Sequence, residues 1–352
     1  MRARDNAERG RRKAERPFRV PRSTFRVLAL LFLTAACSGP PNAARVSVTI
    51  PPGSTLDAAV DSLAAHGVIR SPALFRLYAR IRGLRRSLKS GDYLFAADAP
   101  WGETVTALEH GHGVETRWTV PEGLRLTEIA DLAHADLGMS RDSFLAAARD
   151  STLKRQLGLP PEATTLEGYL FPTTYVIPLH PGARELVGFM VREFLSQWQP
   201  EWQARLDTLR LTRHQLVTLA SIVEAEVRYD PDRPFVSAVY HNRLDRHMKL
   251  DADPTVVYAY GHRLKRVWEK NLAVQSPYNT YLHAGLPPGP IAQPGKPSLI
   301  AALYPAQVPF LYFVAQPDGK HIFSTTFSEH ELAIAKVKRL QSAARARPGR
   351  GP

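Results

Sequence analysis

The chain has a single cysteine, Cys37, so its 352 residues can form neither an intramolecular disulfide nor a cysteine metal cluster. None of its 12 histidines stands in H-E-x-x-H or another tight zinc spacing. The glycine signatures of nucleotide sites, G-x-x-x-x-G-K and G-x-G-x-x-G, are missing as well. Ser151-Thr-Leu-Lys154 fits S-x-x-K, but no Lys-Thr-Gly or Ser-Asp-Asn accompanies it, and it is a chance match. No metal and no cofactor is therefore expected.

Long apolar runs are scarce too. The strongest, Val27-Leu-Ala-Leu-Leu-Phe-Leu-Thr-Ala-Ala36, is about half of the roughly 20 residues that span a bilayer. A basic stretch precedes it and Cys37-Ser-Gly-Pro-Pro follows, which is the layout of an export segment with the cytoplasm on the basic side. Two outcomes stay open. Thr34-Ala-Ala36-Cys37 has the form of a lipoprotein processing site that lipidates Cys37, with Thr34 where Leu or Val is usual; alternatively the run is an uncleaved anchor, extended by Phe25. Either way the expectation is an inner-membrane protein, single-pass or lipid-anchored, whose body lies on the periplasmic side.

The formal charge of +13 invites a nucleic-acid reading, but the body of the chain has almost none of it. Ten Lys/Arg against three acids give residues 1–26 a charge of +7, and six against one give residues 331–352 a charge of +5, leaving +1 between them. Two basic tails around a near-neutral body are a poor footprint for a nucleic-acid groove, and no nucleic-acid partner is expected. An apolar share of 44% with 22% charged residues reads as globular protein.

After a linker over 38–45, Val46, Val48 and Ile50 alternate as a strand, Pro51-Pro-Gly53 turns, and Ser54 or Thr55 caps a helix. Leu56, Ala59, Val60 and Leu63 then follow at helical spacing. A second helix opens at Ser71-Pro72, with Leu74, Phe75, Tyr78 and Ile81 expected inward, and Gly91-Asp-Tyr93-Leu-Phe95 closes the unit as a strand. The same grammar recurs about 70 residues later, where Thr119-Val-Pro-Glu-Gly123 mirrors Thr49-Ile-Pro-Pro-Gly53 and Gly168-Tyr169-Leu-Phe171 mirrors Asp92-Tyr93-Leu-Phe95. Small strand-helix-helix-strand units of this kind resemble the peptidoglycan-binding LysM layout.

Farther on, residues 186–198, 203–209, 233–246 and 298–303 read as helices. Thr212 with Gln215 makes a capping box for the helix carrying Glu224. A hairpin turns at Pro317-Asp-Gly319, and a last helix is expected to start at Ser328 with Glu331 as its box partner. The whole is an α+β chain. Its expected domains are a basic segment 1–26, an apolar anchor or lipoprotein signal 27–37, a LysM-like subdomain 46–115, a domain 116–345 (a repeat-like unit 116–180 and a catalytic core 185–345) and a tail 346–352.

Wound at about 100° per residue, the 213–228 helix has Leu216, Leu219, Ala220, Val223 and Val227 on one stripe, with Glu224 and Glu226 about 80° to either side of it. Partial burial at such an edge raises a carboxyl pKa toward that of a general acid. Geometry alone does not choose between the two, and an ion pair of Glu224 with Arg228, four residues on, is the plain structural alternative.

Read in order, Leu166-Glu167-Gly168-Tyr-Leu-Phe-Pro172, Glu224, Asn242-Arg243-Leu244, Asp251-Ala-Asp253-Pro254-Thr255, Ser276-Pro-Tyr278-Asn279-Thr280-Tyr281, Gly285-Leu-Pro-Pro-Gly289, and His321 with Phe323 resemble the endolytic murein transglycosylase family. That family was once labelled aminodeoxychorismate-lyase-like. The resemblance covers roughly 46–340 and implies a lytic transglycosylase, a lyase that cuts the MurNAc-GlcNAc β-1,4 bond, leaves 1,6-anhydro ends and limits nascent strand length. It places the acid/base on Glu224 and sugar contacts on Glu167, Asn242, Asp253, Thr255, Tyr278 and Asn279. Peptidoglycan strands, the membrane and cell-wall synthases are the partners it implies. The chain departs from the family's Phe-Pro-Asp-Thr at Thr173. One rival is a non-catalytic peptidoglycan binder of the same fold. The other, a pyridoxal-phosphate lyase, needs a Schiff-base lysine in a phosphate pocket, and none is found.

Overall fold

The computed structural model describes residues 45–111 and 113–346 and divides into two compact units, with the boundary after His112. The expected export segment, Cys37 and the linker up to residue 44 lie outside the described residues. Among the described residues no helix is long and apolar enough to cross a membrane.

In the first unit β1 (Arg45–Ile50) pairs antiparallel with β2 (Gly91–Ala96), Val48 opposite Tyr93. Between them run α1 (Leu56–Ala65), α2 (Pro72–Ile81) and a short α3 (Leu84–Ser87). Thr55 caps α1 by accepting from the Ala58 N–H, which satisfies one of the helix's open donors. On α2 only Phe75 and Ala79 are buried, whereas Leu74 and Ile81 are 60% and 76% exposed. The expected inward face of α2 is thus rotated, because the wall it meets is completed by a helix the sequence reading did not identify. That helix, α4 (Trp101–His110), contributes Val105 and Leu108, and Trp101 stands edge-on to Phe75 at 5.6 Å.

The second unit repeats the order. β3 (Glu115–Thr119) and β4 (Thr174–Pro178) are antiparallel and enclose α5 (Leu126–Leu137), α6 (Arg141–Arg149) and α7 (Ser151–Gln156). The closing strand does not fall on residues 168–171, as the repeat predicted. Gly168 has φ +84°, and a Cβ there would lie 2.5 Å from Pro290, so this segment is a tight turn against another loop. Helices α8 (Ala183–Gln197), α9 (Glu201–Leu209), α10 (Arg213–Glu226) and α11 (Arg233–Asp245) follow, then α12 (Asp253–Ala259) and α13 (Lys296–Leu303). A hairpin of β5 (Tyr312–Ala315) and β6 (His321–Ser324) leads into α14 (Phe327–Ala346). The box on α14 is Thr326 with Glu329, two residues before the expected pair.

The helix carrying Glu224 and Glu226 is capped as read. Thr212 Oγ1 accepts from the Gln215 N–H, and the Gln215 side chain accepts from the Thr212 N–H. It is not a one-sided amphipathic helix. Every residue from Leu216 to Val223 is buried, with polar Thr218 and Ser221 absorbed by hydrogen bonds to His214 O and Thr218 O. A helix buried all round can present carboxylates only where it emerges, and here that is its last turn.

Candidate active site

The two glutamates leave α10 in different directions. Glu224 keeps only 7% of its side-chain surface, and its Oε2 accepts three hydrogen bonds: Ser298 Oγ at 2.8 Å, the Gly295 N–H at 3.0 Å and Arg233 Nη1 at 3.1 Å. Its Oε1 has no hydrogen-bond partner among the described residues. Gly295 is the N-cap of α13, so the positive end of that helix faces the carboxylate. Arg233 opens α11 and is held from the other side by Asp230 at 2.7 Å. The expected alternative pairing with Arg228 is not formed; Arg228 is exposed.

Glu122 stands beside this group. A Cβ on Gly295 would sit 1.9 Å from Glu122 Oε1, so the Glu122 carboxyl packs directly over this glycine. Burial, and next the charge of Glu224, push the Glu122 carboxyl up from its usual range. The same Pro121-Glu122-Gly123 turn brings the Gly123 Cα close to Glu224, where an added Cβ would lie 3.8 Å from Glu224 Cγ.

Glu226 accepts from the Tyr240 hydroxyl at 3.0 Å, and burial, reinforced by the negative charge of Asp253, pushes it up to about 7. It lines a cleft of about 610 Å³ together with Asp253, Arg125 and Arg228. Ala225, Ile291 and Ala292 also line that cleft; Glu224 does not.

Glu167 is a tie point. It is buried and accepts from the Leu126 N–H at 2.9 Å, Gln293 Nε2 at 2.6 Å and the Tyr258 hydroxyl at 3.3 Å. Burial pushes it up to about 8, while the Leu126 and Tyr258 donors and the charge of Arg125 pull the other way. Gln293 in turn accepts from the Leu170 N–H, and its backbone pairs with Gly123 and Leu124. One carboxyl thereby joins the 122–126 turn, the 167–170 turn and the 289–295 strap that together frame Glu224. His214 anchors the strap's other end. Its Nε2 faces the Pro288 carbonyl at 3.0 Å and so carries the proton, leaving Nδ1 to accept from Tyr169 at 2.9 Å.

Of the residues expected to hold sugar, only Asp253 lines this cleft; its Oδ1 accepts from Tyr281 at 2.7 Å. Thr255 and Asn279 are fully buried. Thr255 bonds to Ala252 O and Thr280, and Asn279 Nδ2 donates to the Leu272 and Val274 carbonyls. Asn242 is likewise engaged, its Nδ2 donating to Val308 O and Phe310 O at 2.8 Å each. Tyr278 is half-buried, its ring 4.8 Å from that of Tyr258. The sequence reading missed Glu122, Arg233, Gly295 and Ser298. Only Glu122 carried a local signal, an acid inside a Pro-x-Gly turn immediately before a helix.

The chain has known relatives. The YceG-like family matches residues 48–336, and the chain belongs to it. Among curated relatives, a Bacillus subtilis protein named endolytic murein transglycosylase is 33% identical over 307 residues, covering 83% of this chain and 84% of that one. A Streptococcus pneumoniae protein of the same name is 28% identical over 83% of this chain and 58% of its own length. The crystal structure of a yceG-like protein from Listeria monocytogenes superposes with a TM-score of 0.57 at 31% identity, covering 83% of this chain and 99% of that one.

Proposed function

We propose that the protein is a peptidoglycan lytic transglycosylase that cleaves glycan strands internally, with Glu224 as both acid and base. The observation that carries this reading is the asymmetry of the Glu224 carboxylate: three donors fix Oε2, and Oε1 is left without one. A carboxyl held by one oxygen keeps its position while the other exchanges a proton, which is what general acid–base catalysis requires. Protonated Glu224 gives its proton to the glycosidic oxygen as the bond from that oxygen to the muramic C1 breaks. The 6-hydroxyl oxygen of the same sugar then bonds to C1, and its proton returns to Glu224. The nucleophile is part of the substrate, so its effective molarity replaces a second protein carboxylate. The names of the relatives from Bacillus subtilis and Streptococcus pneumoniae agree with this reaction.

Further parts of the reading rest on sequence. The strand-helix-helix-strand pattern read in the sequence of the first unit supports a LysM-like glycan-binding role. The apolar run over 27–36, with or without lipid on Cys37, tethers the enzyme to the inner membrane with its catalytic unit in the periplasm, beside the synthases whose strands it shortens. A second reading, a glycan binder without catalysis, is favoured by the Arg233 ion pair and by the absence of Glu224 from the lining of the cleft that holds Glu226 and Asp253. Digestion of purified sacculi with mass analysis of the released ends separates them. The proposal expects 1,6-anhydro ends; reducing ends overturn the lytic mechanism, and no release supports the binder.

A further inference from the structure

Arg125 begins the segment that leads into α5 and is 6% exposed. Its guanidinium lies 5.3 Å over the Tyr258 ring and makes no hydrogen bond or ion pair among the described residues. Burial first, and the charge of Arg263 second, work against its positive charge, while the charges of Glu128 and Glu167 support it. None of its nitrogens is sealed from solvent without a partner, and the side chain lines the cleft, so its donors face the space a ligand would fill.

Three more arginines line the same cleft. Arg263 is engaged by Glu128 at 2.6 Å and by Gly123 O at 2.9 Å, and Arg266 stacks on Trp268 at 4.2 Å. Arg228 makes no hydrogen bond or ion pair among the described residues. The acids of the cleft, Glu226 and Asp253, have their own partners in Tyr240 and Tyr281. The cleft thus has four guanidinium groups to two carboxyls, and three of the four, Arg125, Arg228 and Arg266, make no hydrogen bond or ion pair among the described residues.

We infer that this cleft is an anion subsite in which Arg125 and Arg228 bind carboxylates of the peptides carried by the glycan strand, so that strands with acidic stem peptides are preferred substrates. The inference rests on the proposed transglycosylase reading. A guanidinium offers a planar pair of N–H donors that matches a carboxylate, and in a partly dry cleft such a charge-assisted bond is strong. An amidated peptide presents a neutral group to the same donors, and a strand stripped of peptide presents nothing.

The test compares kcat/KM on three strands of equal length: one with free-carboxyl peptides, one with the peptides amidated, and one without peptides. Wild type is expected to favour the acidic strand by about 10- to 100-fold, the range a hydrogen bond to a charged group supplies. In Arg125→Gln the ratio of acidic to amidated substrate falls toward one. Because Arg125 is buried, exposed Arg228→Gln is measured beside it and should lower the same ratio by several-fold. Equal rates of wild type on all three strands, or a ratio unchanged in both variants, overturn the proposal. Inhibition by inorganic phosphate with no effect of amidation also overturns it and assigns the cleft to a phosphate group instead. Absence of anhydro products from every strand with wild type is a different outcome, because it refutes the underlying reading of the reaction.

Discussion

Replacing Glu224 by Gln separates chemistry from scaffolding, because the structure specifies what the amide can and cannot reproduce. Placed with its carbonyl at the Oε2 position, the new side chain still accepts from Ser298, Gly295 and Arg233, and its NH2 occupies the Oε1 position, where no donor opposes it. What disappears is the negative charge next to Arg233. A hydrogen bond to a charged group contributes about 1.5–3 kcal/mol and a neutral one about 0.5–1.5, so the loss is on the order of 1–2 kcal/mol. Asp230 stays on Nη2, which keeps Arg233 from becoming an uncompensated buried charge. For a unit of this size that corresponds to a Tm lower by about 2–8 °C. Catalysis loses its proton donor and acceptor altogether, and strand cleavage should fall by at least about 100-fold. Glu224→Ala offers the contrast, since it strands three donors and costs about 3–5 kcal/mol. Thermal melts and product analysis on glycan strands measure both effects. Cleavage by the Gln variant within a few-fold of wild type refutes the catalytic assignment, and equal melting of the Gln and Ala variants refutes the hydrogen-bond argument.

Gly168→Ala should destabilise the catalytic unit by more than about 2 kcal/mol, since a Cβ meets Pro290 at 2.5 Å and Val217 at 2.9 Å on a backbone with φ +84°; chemical denaturation measures this, and a change under about 0.5 kcal/mol refutes the packing. Glu226 has a folded pKa of about 7 against an ordinary 4.5, so the folded state binds the extra proton. Its contribution to stability is complete below about pH 4.5 and is lost as pH rises through about 7. Glu226→Gln should therefore flatten the fall of Tm across that interval, and an unchanged slope removes Glu226 as its cause.

Much of the scaffold was legible in the sequence because it depends on neighbours a few residues apart. The Thr55 and Thr212 caps, the alternation in β1 and the Pro317-Asp-Gly319 turn are fixed by local hydrogen bonding and side-chain period. Glu224 was singled out by a long ordered set of motifs, and its catalytic role is the proposal made above. Where local pattern misled, a distant surface had decided. Leu74 and Ile81 face outward because α4 supplies the wall that Phe75 packs on, and residues 168–171 turn because Pro290 presses on them. The family resemblance puts Asn242, Thr255 and Asn279 among the sugar contacts, and the hydrogen bonds they make within the fold are not announced by their motifs, Asn242 bonding to carbonyls more than sixty residues away.

The sequence by itself determined the helix that bears the two glutamates, its start and the order of the units around it, because these follow from short-range sterics and hydrogen bonds. Tertiary structure decided which carboxylate is clasped and which lines the cleft. The partners of Glu224 come from positions 233, 295 and 298, and those of Arg125 and Glu226 from 258 and 240. Long-range closure of the chain brings such groups together, and no local spacing encodes it.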